Sequence, residues 1–301
     1  MTPPLVELKT ITKLRGSVRI LDQLSLSIEP GSVYGLLGGP QVGKTTAIRV
    51  CLGLIQPDQG EVRLFGRSPQ NLTEQQKACI AYAAAGHTLP LHMTVSEACK
   101  IFQEASPSWD DELCGSILRD GQVPLHRRIR ALSRGTKQYV RLALVYGRRP
   151  RFLALDEPLR EFDEVTRVHL LSRIQDLVAS GESSCLIASA SPVDVVEIAN
   201  RIGFLDKGRL VLDGSPGELV ETTRKVVIKT EDEHNGMGSI VEEISFSPAV
   251  LALRQGFREV RFILRGYQTG WIEDLRRRFP TCQIETEMLT IDALFAEICR
   301  R

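Results

Sequence analysis

A glycine-rich segment near the N-terminus has the residue types and spacing of a phosphate-binding loop. Two glycines five positions apart are followed by a lysine and a threonine, between a predicted buried strand and a predicted helix. Glycines let the backbone wrap closely around phosphate oxygens, and main-chain N–H groups at a helix N-terminus favour an anion. The residues predicted to contact phosphates are Gly38, Gly39, Pro40, Gln41, Val42, Gly43, Lys44, Thr45 and Thr46. We expect Lys44 to reach the β- and γ-phosphates and the Thr45 hydroxyl to bind Mg²⁺.

Two adjacent carboxylates follow a second apolar run. Residues 152–155 read Phe-Leu-Ala-Leu and predict a buried strand, at whose C-terminal end Asp156 and Glu157 emerge. Open α/β sheets bind their ligands at this end of their strands. Asp156 suits a Mg²⁺ contact, and Glu157 suits a general base that polarises an attacking water. The alternative, an Asp-Glu-Pro sequence that only ends a strand and begins a turn, is the weaker one downstream of a phosphate loop.

Strands and helices alternate along the chain and must position these residues. In chain order we predict strands at 5–8, 20–28, 33–37, 61–65, 152–155 and 185–189, helices at 45–54, 164–180 and 193–200, and a hairpin of 202–206 and 209–213. The first two runs alternate apolar and polar residues and predict antiparallel strands. The buried strands that alternate with helices predict a mostly parallel sheet. Residues 90–147 have a mostly helical pattern.

The pattern changes after about residue 221. Strands are predicted at 226–230, 260–264 and 282–286, helices at 247–255 and 271–279, and a polar loop at 232–238. The predicted fold class is α/β, with a P-loop NTPase core that has a mostly parallel sheet, an antiparallel β subdomain and a helical insert, plus a small C-terminal α+β appendage. The predicted domains are 1–221, with the helical subdomain at about 85–147, and 222–301.

Composition limits the classes of protein that the chain fits. Basic and acidic side chains nearly cancel, 38 Lys and Arg against 37 Asp and Glu, and this balance predicts no nucleic-acid partner. Seven scattered cysteines without a CxxC pair predict free thiols in a reducing cytosol. No secretory signal is visible, and no run approaches the roughly 18 apolar residues needed to cross a bilayer. Work at a membrane would therefore need a partner that supplies the spanning helices.

Residues 132–138 read Leu-Ser-Arg-Gly-Thr-Lys-Gln and precede the Asp156 strand by a predicted helix. The segment resembles the LSGGQ-type signature of ATP-binding cassette (ABC) proteins, and its LSxGxKQ form resembles that of the drug-exporter branch. The order of the motifs agrees with the family, and residues 289–295 resemble the tail of the same branch. The resemblance implies an ATP-binding subunit that uses ATP and Mg²⁺ to drive export by a separate membrane permease. It also implies a cytoplasmic location, peripheral on the inner face of the cell membrane.

In this family two cassettes, identical or different, stack head to tail. Ser133 and Gly135 of one chain would then cap the γ-phosphate held by Lys44 of the other, and Gln138 lies in the same signature as a further predicted nucleotide contact. The alternative for Ser133 is the N-cap of the helix that follows it. Asp163 stands at the position of the family's D-loop aspartate.

Several positions depart from the family pattern. Arg15 stands near the place of the aromatic residue that stacks on adenine, and its guanidinium plane is a substitute for that ring. In the P-loop, Pro40 lacks an N–H and Gln41 takes a position that glycine would fill without strain. Ala85 stands at the Q-loop glutamine and Ala190 at the switch histidine, and neither methyl group can polarise water.

These departures leave two hypotheses of different classes. The chain is either a transport ATPase or a catalytically degenerate nucleotide-binding module that pairs with an active ABC ATPase or acts as a regulatory sensor. Glu157 favours the first, whereas Ala85 and Ala190 favour the second. Losing one preorganised polar contact typically lowers a rate by about 10²–10³. We therefore predict that ATP still binds and that hydrolysis is slow.

Overall fold

The computed structural model describes residues 3–84, 89–230 and 237–299. The chain divides into two compact units, Met1–Leu210 and Val211–Arg301. This division lies upstream of the predicted domain boundary at 221–222, which stays a prediction from the change in sequence pattern. The strands are β1 (Val6–Arg15), β2 (Val18–Ile28), β3 (Val33–Leu37), β4 (Gln59–Leu64), β5 (Ile80–Ala84), β6 (Phe152–Asp156), β7 (Ser184–Ser189), β8 (Arg201–Asp206), β9 (Arg209–Gly214), β10 (Thr223–Lys229), β11 (Val250–Gln255), β12 (Glu259–Arg265) and β13 (Gln283–Met288). The α-helices are α1 (Lys44–Cys51), α2 (Glu74–Ala78), α3 (Val95–Glu104), α4 (Asp111–Asp120), α5 (Arg134–Tyr146), α6 (Glu164–Ala179), α7 (Pro216–Thr222), α8 (Met237–Ser245), α9 (Thr269–Arg278) and α10 (Ile291–Cys299).

A six-stranded sheet with the order β5-β6-β7-β3-β8-β9 carries the predicted site. The pairs β5–β6, β6–β7, β7–β3 and β3–β8 are parallel, which confirms the predicted α/β class with a mostly parallel sheet. Every residue of β3 and β6 is buried, because helices and strands cover both faces of continuous apolar runs. Since parallel strands end at one edge of a sheet, β3, β6 and β7 bring their C-terminal residues together there.

A separate antiparallel sheet with the order β2-β1-β4 confirms the predicted antiparallel subdomain. Its inner face contributes Leu8, Ile11, Leu21 and Leu24 to a core that also contains residues of α1, β3 and β6. This packing holds the β1–β2 hairpin against the helix that follows the P-loop. Between β5 and β6 the described residues form α3, α4 and α5, so the predicted helical insert is confirmed.

One helix predicted in the first unit is wrong. Residues 193–200 form a short 3₁₀ turn, Pro192–Asp194, followed by further turns instead of an α-helix. The chain turns early because Asn200 pairs with β3: its side-chain carbonyl accepts a hydrogen bond from the Val33 N–H at 2.7 Å, and its own N–H donates to the Val33 carbonyl at 2.9 Å. Apolar spacing in this segment reflects packing of the turns, not helical periodicity.

The second unit contains a four-stranded antiparallel sheet with the order β11-β12-β10-β13 and the helices α8, α9 and α10. The helix predicted at 247–255 is wrong, because most of that segment is β11, an edge strand that pairs Val250 with Leu264 and Leu251 with Ile263. Partner strands here override the helical preference of Ala, Leu, Arg and Gln. The loop predicted at 232–238 lies largely outside the described residues, and its last two residues begin α8.

Candidate functional site

The P-loop (residues 38–45) joins the buried end of β3 to the start of α1. Gly43 has a φ of 112°, and a Cβ at this position would lie 2.7 Å from the Ile20 carbonyl oxygen. Gly38 is equally restricted, since a Cβ there would lie 2.6 Å from the Leu205 carbonyl oxygen. The two glycines of the motif are therefore required by close approach of neighbouring backbone, which fixes the path of the loop.

Gln41 has a φ of 61°, so the left-handed conformation expected from the sequence is present at a residue with a Cβ. Such a conformation costs roughly 1–2 kcal/mol at a non-glycine residue. Pro40 and Gln41 are both exposed, and Pro40 has no N–H to offer a phosphate. Val42 is buried, whereas Gly39 and Thr46 are half-buried. The strained, donor-poor part of the loop is thus its outer tip.

Lys44 lies at the centre of the loop with its side chain 7% exposed. Its ammonium nitrogen donates hydrogen bonds to the carbonyl oxygens of Gly38 at 2.7 Å and Gly39 at 3.0 Å. The same nitrogen lies 3.1 Å from Oε1 of Glu157. The structure therefore brings together the two residues that the sequence assigns to phosphate binding and to water activation.

Thr45 and Asp156 meet at the C-terminal end of β6. The Thr45 hydroxyl donates to Oδ2 of Asp156 at 2.7 Å. Burial raises the pKa of Asp156, the hydrogen bond from Thr45 lowers it, and the neighbouring charge of Glu157 raises it further. The second carboxylate oxygen, Oδ1, is buried and has no hydrogen-bond partner in the described part of the chain.

These two residues fit a magnesium ion. A threonine hydroxyl next to a buried carboxylate oxygen without a partner supplies the hard oxygen ligands that Mg²⁺ prefers. Mg²⁺ is usually held by one or two carboxylates together with substrate phosphates and water. Accordingly, the site does not need the cluster of three His, Cys, Asp or Glu side chains that is absent from the described residues.

Glu157 begins the segment after β6 with a φ of 51°, an uncommon conformation for a residue with a Cβ. Its N–H donates to the Ala188 carbonyl at 2.9 Å, which anchors its backbone to β7. Its Oε2 accepts a hydrogen bond of 3.2 Å from the Ala190 N–H. The carboxylate thus lies between the Lys44 ammonium and a main-chain amide, and the Ala190 side chain offers it only a methyl group.

The three signature residues differ in burial: Ser133 is exposed, Gly135 is half-buried and Gln138 is buried. Ser133 is exposed at the N-cap of α5, where its hydroxyl oxygen accepts a hydrogen bond from the Thr136 N–H at 3.1 Å. Gly135 is half-buried, and a Cβ added there would meet no atom within 4 Å. Gln138 is buried, with its amide donating to the Pro158 carbonyl at 2.7 Å and accepting from Arg141. A direct contact of Gln138 with nucleotide would need these bonds to break.

Two further predicted positions have different outcomes. Arg15 is exposed at the end of β1, opposite Val18 of β2, and two residues later β2 reaches Ile20, whose carbonyl lies beside Gly43. The strand that follows the turn carrying Arg15 therefore lies beside the P-loop at Ile20. Ala85 lies outside the described residues, one position after Ala84, which pairs with Asp156.

Sequence reasoning missed a polar cluster next to Ala190 in which two residues are buried and one, Arg167, is half-buried. Ser189, Asp194 and Arg167 are linked by hydrogen bonds there. Asp194 lies inside the segment predicted as a helix, and Arg167 is 27 residues away along the chain. The signal in the sequence that could have indicated this cluster was Asp194, a charged residue between two valines.

A buried lysine in a strand–loop–helix turn, a threonine–aspartate pair and an adjacent glutamate define a P-loop nucleoside triphosphatase. The family profile described as ABC transporter matches residues 21–160. The ABC transporter ATP-binding protein YtrB of Bacillus subtilis is 30% identical over 231 residues, which cover 77% of this chain and 79% of that protein.

The spermidine/putrescine import ATP-binding protein PotA of Pseudomonas aeruginosa is 29% identical over 220 residues. The match covers 70% of this chain and 59% of PotA, so the chain spans less than two thirds of that relative's length. A dimeric ATP-binding cassette bound to ADP and Pi has a TM-score of 0.61 at 18% sequence identity, covering 70% of this chain and 98% of the other, and this likeness supports the fold.

The chain therefore belongs to the family of ABC transporter ATP-binding proteins, and it is an ATP-binding ATPase subunit. The family resemblance read from the sequence is confirmed at this level. The relatives do not support assignment to the drug-exporter branch, nor the alternative of a catalytically degenerate module. None of the described helices has the length and apolar character that a membrane crossing requires.

Proposed function

We propose that the chain hydrolyses ATP at the Lys44–Asp156–Glu157 site and thereby drives a separate membrane permease. The supporting observation is the position of Lys44, whose ammonium lies within 3.1 Å of both the P-loop carbonyls and Glu157. A triphosphate in the loop supplies a stronger, charge-assisted partner for that ammonium. The main-chain N–H groups of residues 39 and 41–46 complete the phosphate site, whereas Pro40 has no N–H and the Gly38 N–H donates to the Ser189 carbonyl.

In the proposed mechanism, Thr45 and Asp156 hold Mg²⁺, which when bound neutralises charge on the β- and γ-phosphates. Engagement of Lys44 by phosphate leaves Oε1 of Glu157 available to accept a proton from the attacking water. The Ala190 N–H keeps Oε2 in place during this step. Arg15 stacks on the adenine ring from the β1–β2 turn beside Gly43.

The proposed rate follows from the same geometry. Ala190, directly after β7, is the residue whose N–H contacts Glu157, so the γ-phosphate and the water lack one side-chain donor there. Removing one such donor costs about 10²–10³ in rate, which corresponds to about 2.7–4 kcal/mol. We therefore propose that ATP binds normally and turns over slowly.

The test of this site is steady-state ATP hydrolysis by Glu157→Gln beside the unaltered chain. We expect a loss of at least about 100-fold in kcat, with ATP affinity retained, because general-base catalysis contributes about 10²–10⁴. Glu161→Gln is the matched control, since Glu161 is exposed in the same segment and should leave the rate unchanged. Equal rates for the wild type and Glu157→Gln would overturn the proposal.

We further propose that a second cassette, a copy of this chain or a different ABC ATPase, places its Ser133 and Gly135 on the phosphates. Support comes from the family signature and from the exposure of Ser133. Ser133→Asp separates this role from N-capping, because aspartate caps a helix as well as serine but repels phosphate. Loss of activity with unchanged Tm supports the proposal, and full activity leaves Ser133 as a helix cap alone.

Export is the proposed direction of transport, at the inner face of the cell membrane. Its support is the LSxGxKQ form of residues 132–138 and the likeness of residues 289–295 to the exporter tail, whereas PotA, of comparable identity, is named for import.

The chain should co-purify with a membrane-spanning permease from detergent-solubilised membranes. In proteoliposomes of that complex, substrates that stimulate hydrolysis from the ATP side indicate export, and substrates that act from the opposite side indicate import.

A further inference from the structure

A polar cluster of buried Ser189, buried Asp194 and half-buried Arg167 lies next to Ala190, and the proposed mechanism does not use it. Asp194 ends the 3₁₀ turn with its side chain 6% exposed. One carboxylate oxygen accepts a hydrogen bond from the Ser189 hydroxyl at 2.7 Å, and the other lies 3.3 Å from a guanidinium nitrogen of Arg167. Burial raises the pKa of Asp194, and both neighbours lower it by stabilising the ionised carboxylate.

Ser189 connects this cluster to the peptide that holds Glu157. Its hydroxyl donates to Asp194 and accepts a hydrogen bond from the Ser191 N–H at 3.0 Å. These two bonds fix the backbone on both sides of Ala190.

The peptide unit between Ser189 and Ala190 has partners at both ends. Its carbonyl oxygen accepts a hydrogen bond from the Gly38 N–H at 3.3 Å, and its N–H donates to Oε2 of Glu157 at 3.2 Å. One peptide thus links the first residue of the P-loop with the glutamate. Residue 190 is alanine, so it contacts the Glu157 carboxylate through its main-chain N–H and not through its side chain. The orientation of this peptide therefore determines where that N–H lies.

Arg167 holds the cluster from the opposite side. Its Nε donates to the Phe162 carbonyl at 2.9 Å, while its terminal nitrogen pairs with Asp194. The segment that follows Glu157 is therefore attached to the same carboxylate as the turn that contains Ala190. Asp194 is thus bonded to one residue from each of these two segments, Ser189 and Arg167, the latter through its bond to Phe162.

We infer that Asp194, held by Arg167, is a positioning residue for ATP hydrolysis: it orients the Ser189–Ala190 peptide, whose N–H fixes the Glu157 carboxylate. The inference rests on the proposed role of Glu157. It assigns no contact with ATP to Asp194 itself. A displacement of about 1 Å in a reacting group can cost about 100-fold in rate, so an indirect effect of this kind is measurable.

The experiment measures kcat, the KM for ATP and the Tm of Asp194→Ala, Asp194→Asn and Arg167→Ala, with Arg173→Ala as the matched control. Arg173 lies on the same helix as Arg167, α6, and pairs with Asp120 at 3.2 Å. Asp120 is far from Glu157 in the chain. We expect Asp194→Ala to lower kcat by about 10-fold with KM within twofold of wild type. Asp194→Asn, which keeps an acceptor for Ser189, should lose less, and Arg173→Ala should lose nothing.

A double variant separates positioning from general destabilisation. In a Glu157→Gln background, Asp194→Ala should cause no further loss, because the group through which it acts is already removed. An additive loss, an unchanged kcat in the single variant or an equal rise in KM would overturn the inference. If Glu157→Gln alone has no effect, the proposed function fails instead, so the two failures are distinguishable.

Discussion

On the phosphate side of the site, Lys44 and Thr45 are held by side-chain contacts of 2.7–3.1 Å to buried or half-buried partners. On the water side, Glu157 is held by Lys44 itself and by one main-chain N–H at 3.2 Å. The residues assigned to phosphate binding are therefore held by more side-chain contacts than the residue assigned to water activation, and Lys44 contacts both groups. Because residue 190 is alanine, it offers Glu157 no polar side chain on the water side. The contacts of Lys44 and Thr45 on the phosphate side do not involve residue 190.

The largest expected effect comes from Asp156, the carboxylate assigned to the predicted magnesium site. Asp156→Asn should lower kcat by at least about 100-fold, because removal of the carboxylate weakens the magnesium site that stabilises transition-state charge. The reference is Asp176→Asn, an exposed aspartate on α6 that should behave as wild type. Unchanged dependence of the rate on magnesium concentration in Asp156→Asn would contradict this assignment.

The same variant has an opposite effect on stability. Burial raises the pKa of Asp156 in the folded chain, so the folded protein binds this proton more tightly than the unfolded chain does. As pH rises from the ordinary aspartate pKa through the raised pKa of Asp156, ionisation of this carboxyl therefore lowers the free energy of unfolding. Without nucleotide or magnesium, Asp156→Asn should melt at a higher temperature than wild type at pH 7, and the difference should shrink as pH approaches the ordinary aspartate range. A lower Tm at pH 7 would show that the Thr45 bond outweighs burial.

A smaller effect is expected for Lys44→Ala, which removes the ammonium group assigned to phosphate binding and its contact with Glu157. ATP affinity should fall by about 10- to 100-fold, the range for loss of one charged hydrogen-bonding group. Titration with a fluorescent ATP analogue in magnesium buffer measures it, beside Lys77→Ala, whose exposed lysine pairs with Glu74. Undiminished affinity in Lys44→Ala would move the phosphate site elsewhere.

The smallest effect concerns the strained tip of the P-loop. Gln41→Gly should raise the free energy of unfolding by up to about 1 kcal/mol, because glycine adopts a φ of 61° without the cost that a Cβ imposes. Gln41→Ala keeps the Cβ and should give no gain. Denaturant unfolding of the wild type, Gln41→Gly and Gln41→Ala measures the three stabilities. Equal stability would show that the backbone at residue 41 is not strained.

Site residues that are adjacent to one another in the chain and close to a buried strand were predictable from the sequence. Lys44 and Thr45 begin α1 after the loop that follows β3, and Asp156 and Glu157 lie at the end of β6, so the motif spacing itself brings them to one sheet edge. Fully apolar runs predicted β3 and β6 for the same reason: burial on both faces leaves a continuous signal.

Residues that depend on distant partners were not predictable. Arg167 and Asp194 meet only because the turn after β7 replaces the predicted helix, and Asn200 ends that turn by bonding to Val33. In the second unit, β11 looks helical in composition and becomes a strand through its pairing with β12. Both errors come from long-range contacts that override local preference.

The difference between the two sides of the site is tested most directly by the ratio of kcat for Ala190→His to kcat for the unaltered chain, measured at saturating ATP and magnesium. A histidine at residue 190 restores a side-chain donor next to Glu157. We expect a slow wild type, a rise of about 10-fold or more in the variant, and little change in KM. A wild-type turnover already at tens per second, or a ratio of one, would contradict the proposal that Ala190 limits hydrolysis.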